Sequence, residues 1–138
     1  MSSVSSLSLW ERVQNFELEA PSDVYGFTTR LSYENKWTLN FTKAAILEYK
    51  KFMYLAATCD EMVSPSEIID CVWHQHLLFT KSYNEFCTLL GKKIEHVPST
   101  ETSKDYQKFA AAKERTKMAY EATFGQQPKE IWRFSDIY

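Results

Sequence analysis

The chain has 138 residues, 44% of them apolar and 15% aromatic, with only 3 Gly and 4 Pro. That length suits one hydrophobic core, and that composition excludes the disordered and low-complexity classes. Sixteen basic against eighteen acidic residues leave a formal charge of −2, so the basic excess of a general nucleic-acid binder is missing.

In chain order, residues 1–8 read as a flexible N-terminus. They have neither the basic n-region nor the long apolar core of a signal peptide. Ser8 and Glu11 form a capping-box pattern that predicts a first helix from about Leu9 to Phe16. Residues 21–23, Pro-Ser-Asp, are a break. A second helix is predicted from about Tyr25 to Asn35, with Phe27, Leu31 and Tyr33 inward.

The third helix, about Asn40 to Thr58, carries the longest apolar stripe: Phe41, Ala45, Tyr49, Phe52 and Ala56. Lys43, Glu48, Lys50 and Lys51 fall mostly off it, as a solvated face. Ser64-Pro65-Ser66-Glu67 reads as a cap, a first-turn proline and a capping-box glutamate opening a fourth helix through Ile68, Ile69, Val72, Trp73 and Leu77. Thr80 or Ser82 caps a fifth helix with Tyr83, Phe86, Cys87 and Leu90, stopped at Gly91. Residues 92–99, with Pro98, are extended or loop. A sixth helix, about Ser103 to Phe124, buries Tyr106, Phe109, Thr116, Tyr120 and Phe124. A last turn after Gln127-Pro128 holds Ile131 and Trp132, and 134–138 form a tail. No segment alternates over a strand length. The expected fold is all-α: a single domain, 9–133, of five to seven helices with no substantial sheet and the third helix at its centre.

All three histidines, His74, His76 and His96, fall within 23 positions, with Cys87 between them. Imidazole and thiolate suit zinc or another divalent transition metal, and four such groups complete a tetrahedral site. Helix geometry complicates that quartet. Residues two apart on a helix project about 200° from each other, so His74 and His76 share one ion only if the helix ends or distorts near them. Alternatively, Asp70 at i−4 orients His74 while His76 packs at the core edge beside Trp73. A nucleophilic reading pairs Cys87, or Cys71, with a histidine. Against it, a thiol on an aromatic helix face is ordinarily a small buried apolar group.

The run Asp70-x2-Trp73-His74-x-His76-Leu77-x5-Tyr83-x3-Cys87-x3-Gly91-x4-His96-x-Pro98 resembles the conserved block of the glycine-rich domain-containing protein-like family. Phe27 to Trp37, Glu48 to Ala56 and Tyr120 to Trp132 resemble further stretches of its short bacterial members. The resemblance implies a helical domain in which Asp70, Trp73, His74, His76, Tyr83, Cys87 and His96 belong to one signature. It supplies no activity. Two departures stand out: Glu95 replaces a second histidine before His96, and Ser99 to Thr102 replace glycines after the proline.

Two functions follow as expectations. One is an intracellular, cytoplasmic metal-binding domain, with His74, His76, Cys87 and His96 as ligands and Asp70, Trp73 and Tyr83 supporting or lining the site. The other is a non-enzymatic interaction module for a protein partner, in which the histidines are structural. Neither involves nucleic acid or membrane insertion, and whether the site is catalytic stays open.

Overall fold

Ser8 caps the first helix as its sequence predicts: its hydroxyl accepts from the Glu11 N–H and the Glu11 carboxylate accepts from the Ser8 N–H, each at 3.1 Å. The structure, a computed structural model, describes residues 7–20, 24–96 and 103–133, excluding the side chains of 103–106. The expectations for 1–6, the 21–23 break, Pro98, the Tyr106 side chain and the 134–138 tail lie outside the described residues. Within them there are seven helices and no strand.

Helix α1 (Leu9–Asn15) ends where Phe16 turns extended and packs its ring on Phe86. Helix α2 (Phe27–Asn35) starts after Gly26, two residues later than predicted. Phe27 and Leu31, at i and i+4, are both fully buried, whereas Tyr33, expected inward, is 75% exposed. Those two side chains alone fill the inward stripe of so short a helix.

Helix α3 (Leu39–Thr58) is capped by Thr38, which accepts from the Phe41 N–H. Its stripe buries Ala45, Tyr49 and Phe52 fully and Phe41 and Ala56 in part. It packs against α1, α2, α4 (Glu67–Leu78) and α6 (Ser103–Phe124), and so forms the centre of the fold. Glu48 corrects the expected solvated face: it is 4% exposed. Its carboxylate accepts from the Tyr120 hydroxyl at 2.6 Å, the Trp132 indole N–H at 2.9 Å and the Lys51 ammonium at 3.0 Å. Helices α6 and α7 (Lys129–Trp132) cover that side of α3 and bring their donors with them.

The start of α4 is also shifted. Ser64 spends its N–H on the Thr116 hydroxyl of α6, and Ser66 is the cap, accepting from the Ile69 N–H while donating to the Ile131 carbonyl. Pro65 therefore precedes the cap, and the Ser64–Glu67 capping box does not form. A single residue, Phe79, breaks α4 from α5 (Thr80–Leu90), so Thr80 lies inside α5 rather than capping it. Tyr83, Phe86, Cys87 and Leu90 are buried as predicted, and Gly91 closes α5 at φ 76°. In α6, Thr116 and Tyr120 are buried and Phe109 and Phe124 partly so. No helix among the described residues is long and apolar enough to cross a membrane.

Candidate metal centre

One turn of α4 separates Asp70 from His74, so both side chains leave the same face. His96 comes from the segment beyond α5 and folds back onto that face. Its Nε2 lies 2.6 Å from Asp70 Oδ1, and His74 Nε2 lies 3.5 Å from Asp70 Oδ2. The carboxylate thus has one imidazole at each oxygen, and the two rings lie 4.5 Å apart between centroids. One ligand atom from each of the three residues falls within 4.8 Å of the others. The cluster is reachable from solvent: the His74 side chain is 58% exposed, Asp70 36% and His96 17%.

Behind the cluster, the Trp73 ring meets the His96 ring edge-on, 4.6 Å between centroids. The Trp73 indole N–H donates to the Tyr83 hydroxyl at 3.0 Å, and that hydroxyl donates to the Ile94 carbonyl, two residues before His96. Burial pushes the Tyr83 hydroxyl well above the usual tyrosine range; the bond from Trp73 pulls the other way, and the neighbouring Cys87 thiol adds to the rise. The hydroxyl is therefore a committed donor.

His76, two residues beyond His74, faces the opposite way and is fully buried. Its Nδ1 lies 2.7 Å from the Tyr49 hydroxyl and its Nε2 2.9 Å from the Ser82 hydroxyl, which itself donates to the Leu18 carbonyl. These directions assign the tautomer. Ser82 has spent its proton, so it accepts from Nε2–H, and the bare Nδ1 accepts from Tyr49. Burial, with the Lys50 charge as a lesser cause, pulls the His76 pKa down to about 4, which keeps the ring neutral at pH 7.

The quartet His74, His76, Cys87 and His96 is therefore not gathered around one point. The 200° projection of i and i+2 sends His76 into the core, and α4 stays regular through it. Cys87 is 8% exposed on the inward face of α5 and lies outside the histidine–aspartate group. Asp70, expected only to orient an imidazole, is itself a member of that group. Both His76 nitrogens are engaged by hydroxyls, so neither activates Cys87. Burial, with Asp70 and Glu67 nearby, pushes the Cys71 thiol up, opposite to what a nucleophile needs. Tyr49, the partner of His76, carries no signal of that role in the sequence. It stands 27 positions away in an apolar stripe, where no local pattern announces a hydrogen bond.

The family described as UCP032817-like matches residues 28–128, and the chain belongs to it. That match replaces the glycine-rich domain-containing family suggested by the tryptophan–histidine block. The replacement accords with a chain holding only 3 Gly, and with Ser99 to Thr102 where glycines were expected. No curated protein and no solved structure matches the chain. The matched segment contains Asp70, His74 and His96.

Proposed function

For a UCP032817-like chain carrying this cluster, we propose a metal-binding domain in which Asp70, His74 and His96 hold a divalent transition metal, zinc first. The observation that carries the reading is the grouping of three ligand atoms within 4.8 Å. Two imidazoles and one carboxylate are a donor set used by catalytic zinc and by non-haem iron. Two ligands about 2.0–2.1 Å from a tetrahedral ion are roughly 3.3–3.4 Å apart. His74 Nε2 lies 3.5 Å from Asp70 Oδ2 and His96 Nε2 2.6 Å from Asp70 Oδ1, so one donor from each residue reaches a single ion once side-chain rotation closes their spread of up to 4.8 Å toward that spacing. Three protein donors leave a coordination position for water, which makes this an open site rather than the closed site a fourth donor such as Cys87 completes.

A second reading keeps the histidines structural within a protein-interaction module. The 2.6 Å Asp70–His96 bond favours it, because that bond ties the segment beyond α5 to α4 with no ion. Metal content separates the two. Untagged protein purified without a nickel column and dialysed against zinc is expected to retain about one zinc per chain, and His74→Ala, a change at an exposed position, to lose most of it. Wild-type protein that retains no zinc above buffer, or a His74→Ala variant that retains as much as wild type, leaves the structural reading.

A further inference from the structure

Of the three residues grouped at the candidate centre, two are fixed by α4 itself. Asp70 and His74 are one turn apart on a helix whose start is locked by Ser66. His96 has no helix of its own. Its position depends on what holds the segment between Gly91 and His96 against the bundle. The Ile94 side chain is buried, the Lys92 ammonium donates to the Ala56 carbonyl and His96 itself meets Asp70; three further observations place Tyr83 and Trp73 at the backbone just before His96. The Tyr83 hydroxyl donates to the Ile94 carbonyl, the Trp73 indole N–H donates to the same hydroxyl, and the Trp73 ring packs edge-on against the His96 ring. Tyr83 is 7% exposed and Trp73 5%, so water does not substitute for these contacts. On its other side the Tyr83 ring meets the His76 ring at 5.2 Å, and His76 is tied to α3 through Tyr49 and to α5 through Ser82.

We propose that Tyr83, with Trp73, is the positioning residue of the metal centre: its hydroxyl fixes the backbone before His96 and so sets whether the third ligand reaches the ion. This rests on the metal-binding reading above. Tyr83 touches no ligand atom; it acts through the Ile94 carbonyl. The chemistry that selects it is specific. A phenylalanine fills the same volume but cannot donate, and it leaves both the Ile94 carbonyl and the Trp73 N–H without their partner. Released from that bond, the segment carries His96 away from Asp70 for part of the time, and the site drops toward the two-donor pair Asp70 and His74. Groups that orient metal ligands from outside the coordination sphere typically change affinity about 10- to 100-fold when removed.

The test is titration of metal-free protein with Co2+ alone, read by visible absorption, in wild type, Tyr83→Phe, His96→Ala and Tyr120→Phe. Tyr120 is a matched control. Its buried hydroxyl likewise donates to one acceptor, Glu48, and accepts from one donor, the Lys51 ammonium, and Tyr120 is not a member of the Asp70–His74–His96 group. The proposal expects Tyr83→Phe to bind Co2+ about 10-fold more weakly or worse, with a bound spectrum displaced toward that of His96→Ala, and Tyr120→Phe to bind like wild type. It is overturned if Tyr83→Phe keeps wild-type affinity and spectrum while wild type binds, a result that leaves the metal reading intact. It is equally overturned if Tyr120→Phe weakens binding as much, since generic loosening then explains both. Absence of Co2+ binding by wild type overturns the metal reading and this inference with it.

Discussion

Glu48 and His76 show how a single side chain is decided by partners far along the chain. Glu48 accepts three donors inside the fold, from Tyr120, Trp132 and Lys51. Removing an acceptor of buried donors costs roughly 1–3 kcal/mol per group left unpaired, so Glu48→Ala is expected to lower unfolding stability by about 3 kcal/mol. Urea unfolding checks it, and a loss below about 0.5 kcal/mol, the level of an ordinary surface change, contradicts the buried role. His76 predicts a pH dependence. Its pKa in the folded chain is about 4 against the ordinary 6.5, so the unfolded chain takes up the proton first. Stability from this group is complete above about pH 6.5 and falls as pH drops toward 4, by about 3 kcal/mol over the whole window. Wild type should therefore lose stability more steeply across that window than His76→Gln; equal slopes contradict the assignment. The i, i+2 projection already offered His76 a place at the core edge, but its hydroxyl partners and the buried role of Glu48 were not legible in sequence. Periodicity assigns a face, and it cannot tell that α6 and α7 bring a tyrosine and a tryptophan to a glutamate on that face.

Two helix ends were legible because their caps are local. The Ser8–Glu11 box and the Gly91 stop stand where the pattern put them, because each is satisfied by atoms within four residues. Gly91 adopts φ 76° with nothing within 4 Å of an added Cβ. Gly91→Ala is therefore expected to cost only the left-handed backbone penalty, about 1 kcal/mol, read as a small fall in the thermal midpoint. A neutral or stabilising effect contradicts it. Where caps involve distant elements the pattern misled. The pattern gave the cap to Ser64, but Thr116 of α6 takes the Ser64 N–H and Ser66, which also donates to the Ile131 carbonyl of α7, is the cap. Ser66→Ala removes both a cap and a buried bond to the Ile131 carbonyl, and is expected to cost about 2 kcal/mol. Chemical denaturation checks it, and a cost no larger than that of Ser8→Ala contradicts the double role.

Across the whole molecule, α3 forms the scaffold and the candidate centre lies where α4 meets the segment beyond α5. The all-α architecture was readable because amphipathic periods recur along the chain and no segment alternates over a strand length. Clustering of the histidines in sequence also pointed to the right region, and helix geometry offered the split of His74 from His76 as one of two readings; the fold selects it and adds Asp70 to the group. The i, i+2 spacing sends His74 outward to Asp70 and His96, and sends His76 inward to Tyr49 and Ser82. One short stretch thus supplies both an exposed donor group and part of the core behind it, connected through Tyr83. Zinc at Asp70, His74 and His96 is tested by anomalous diffraction at the zinc edge from crystals grown with zinc. Metal binding at the cluster gives an anomalous peak about 2.0–2.1 Å from the Nε2 atoms of His74 and His96 and from an Asp70 oxygen. An Asp70–His96 hydrogen bond preserved with no anomalous peak beside it contradicts metal binding there.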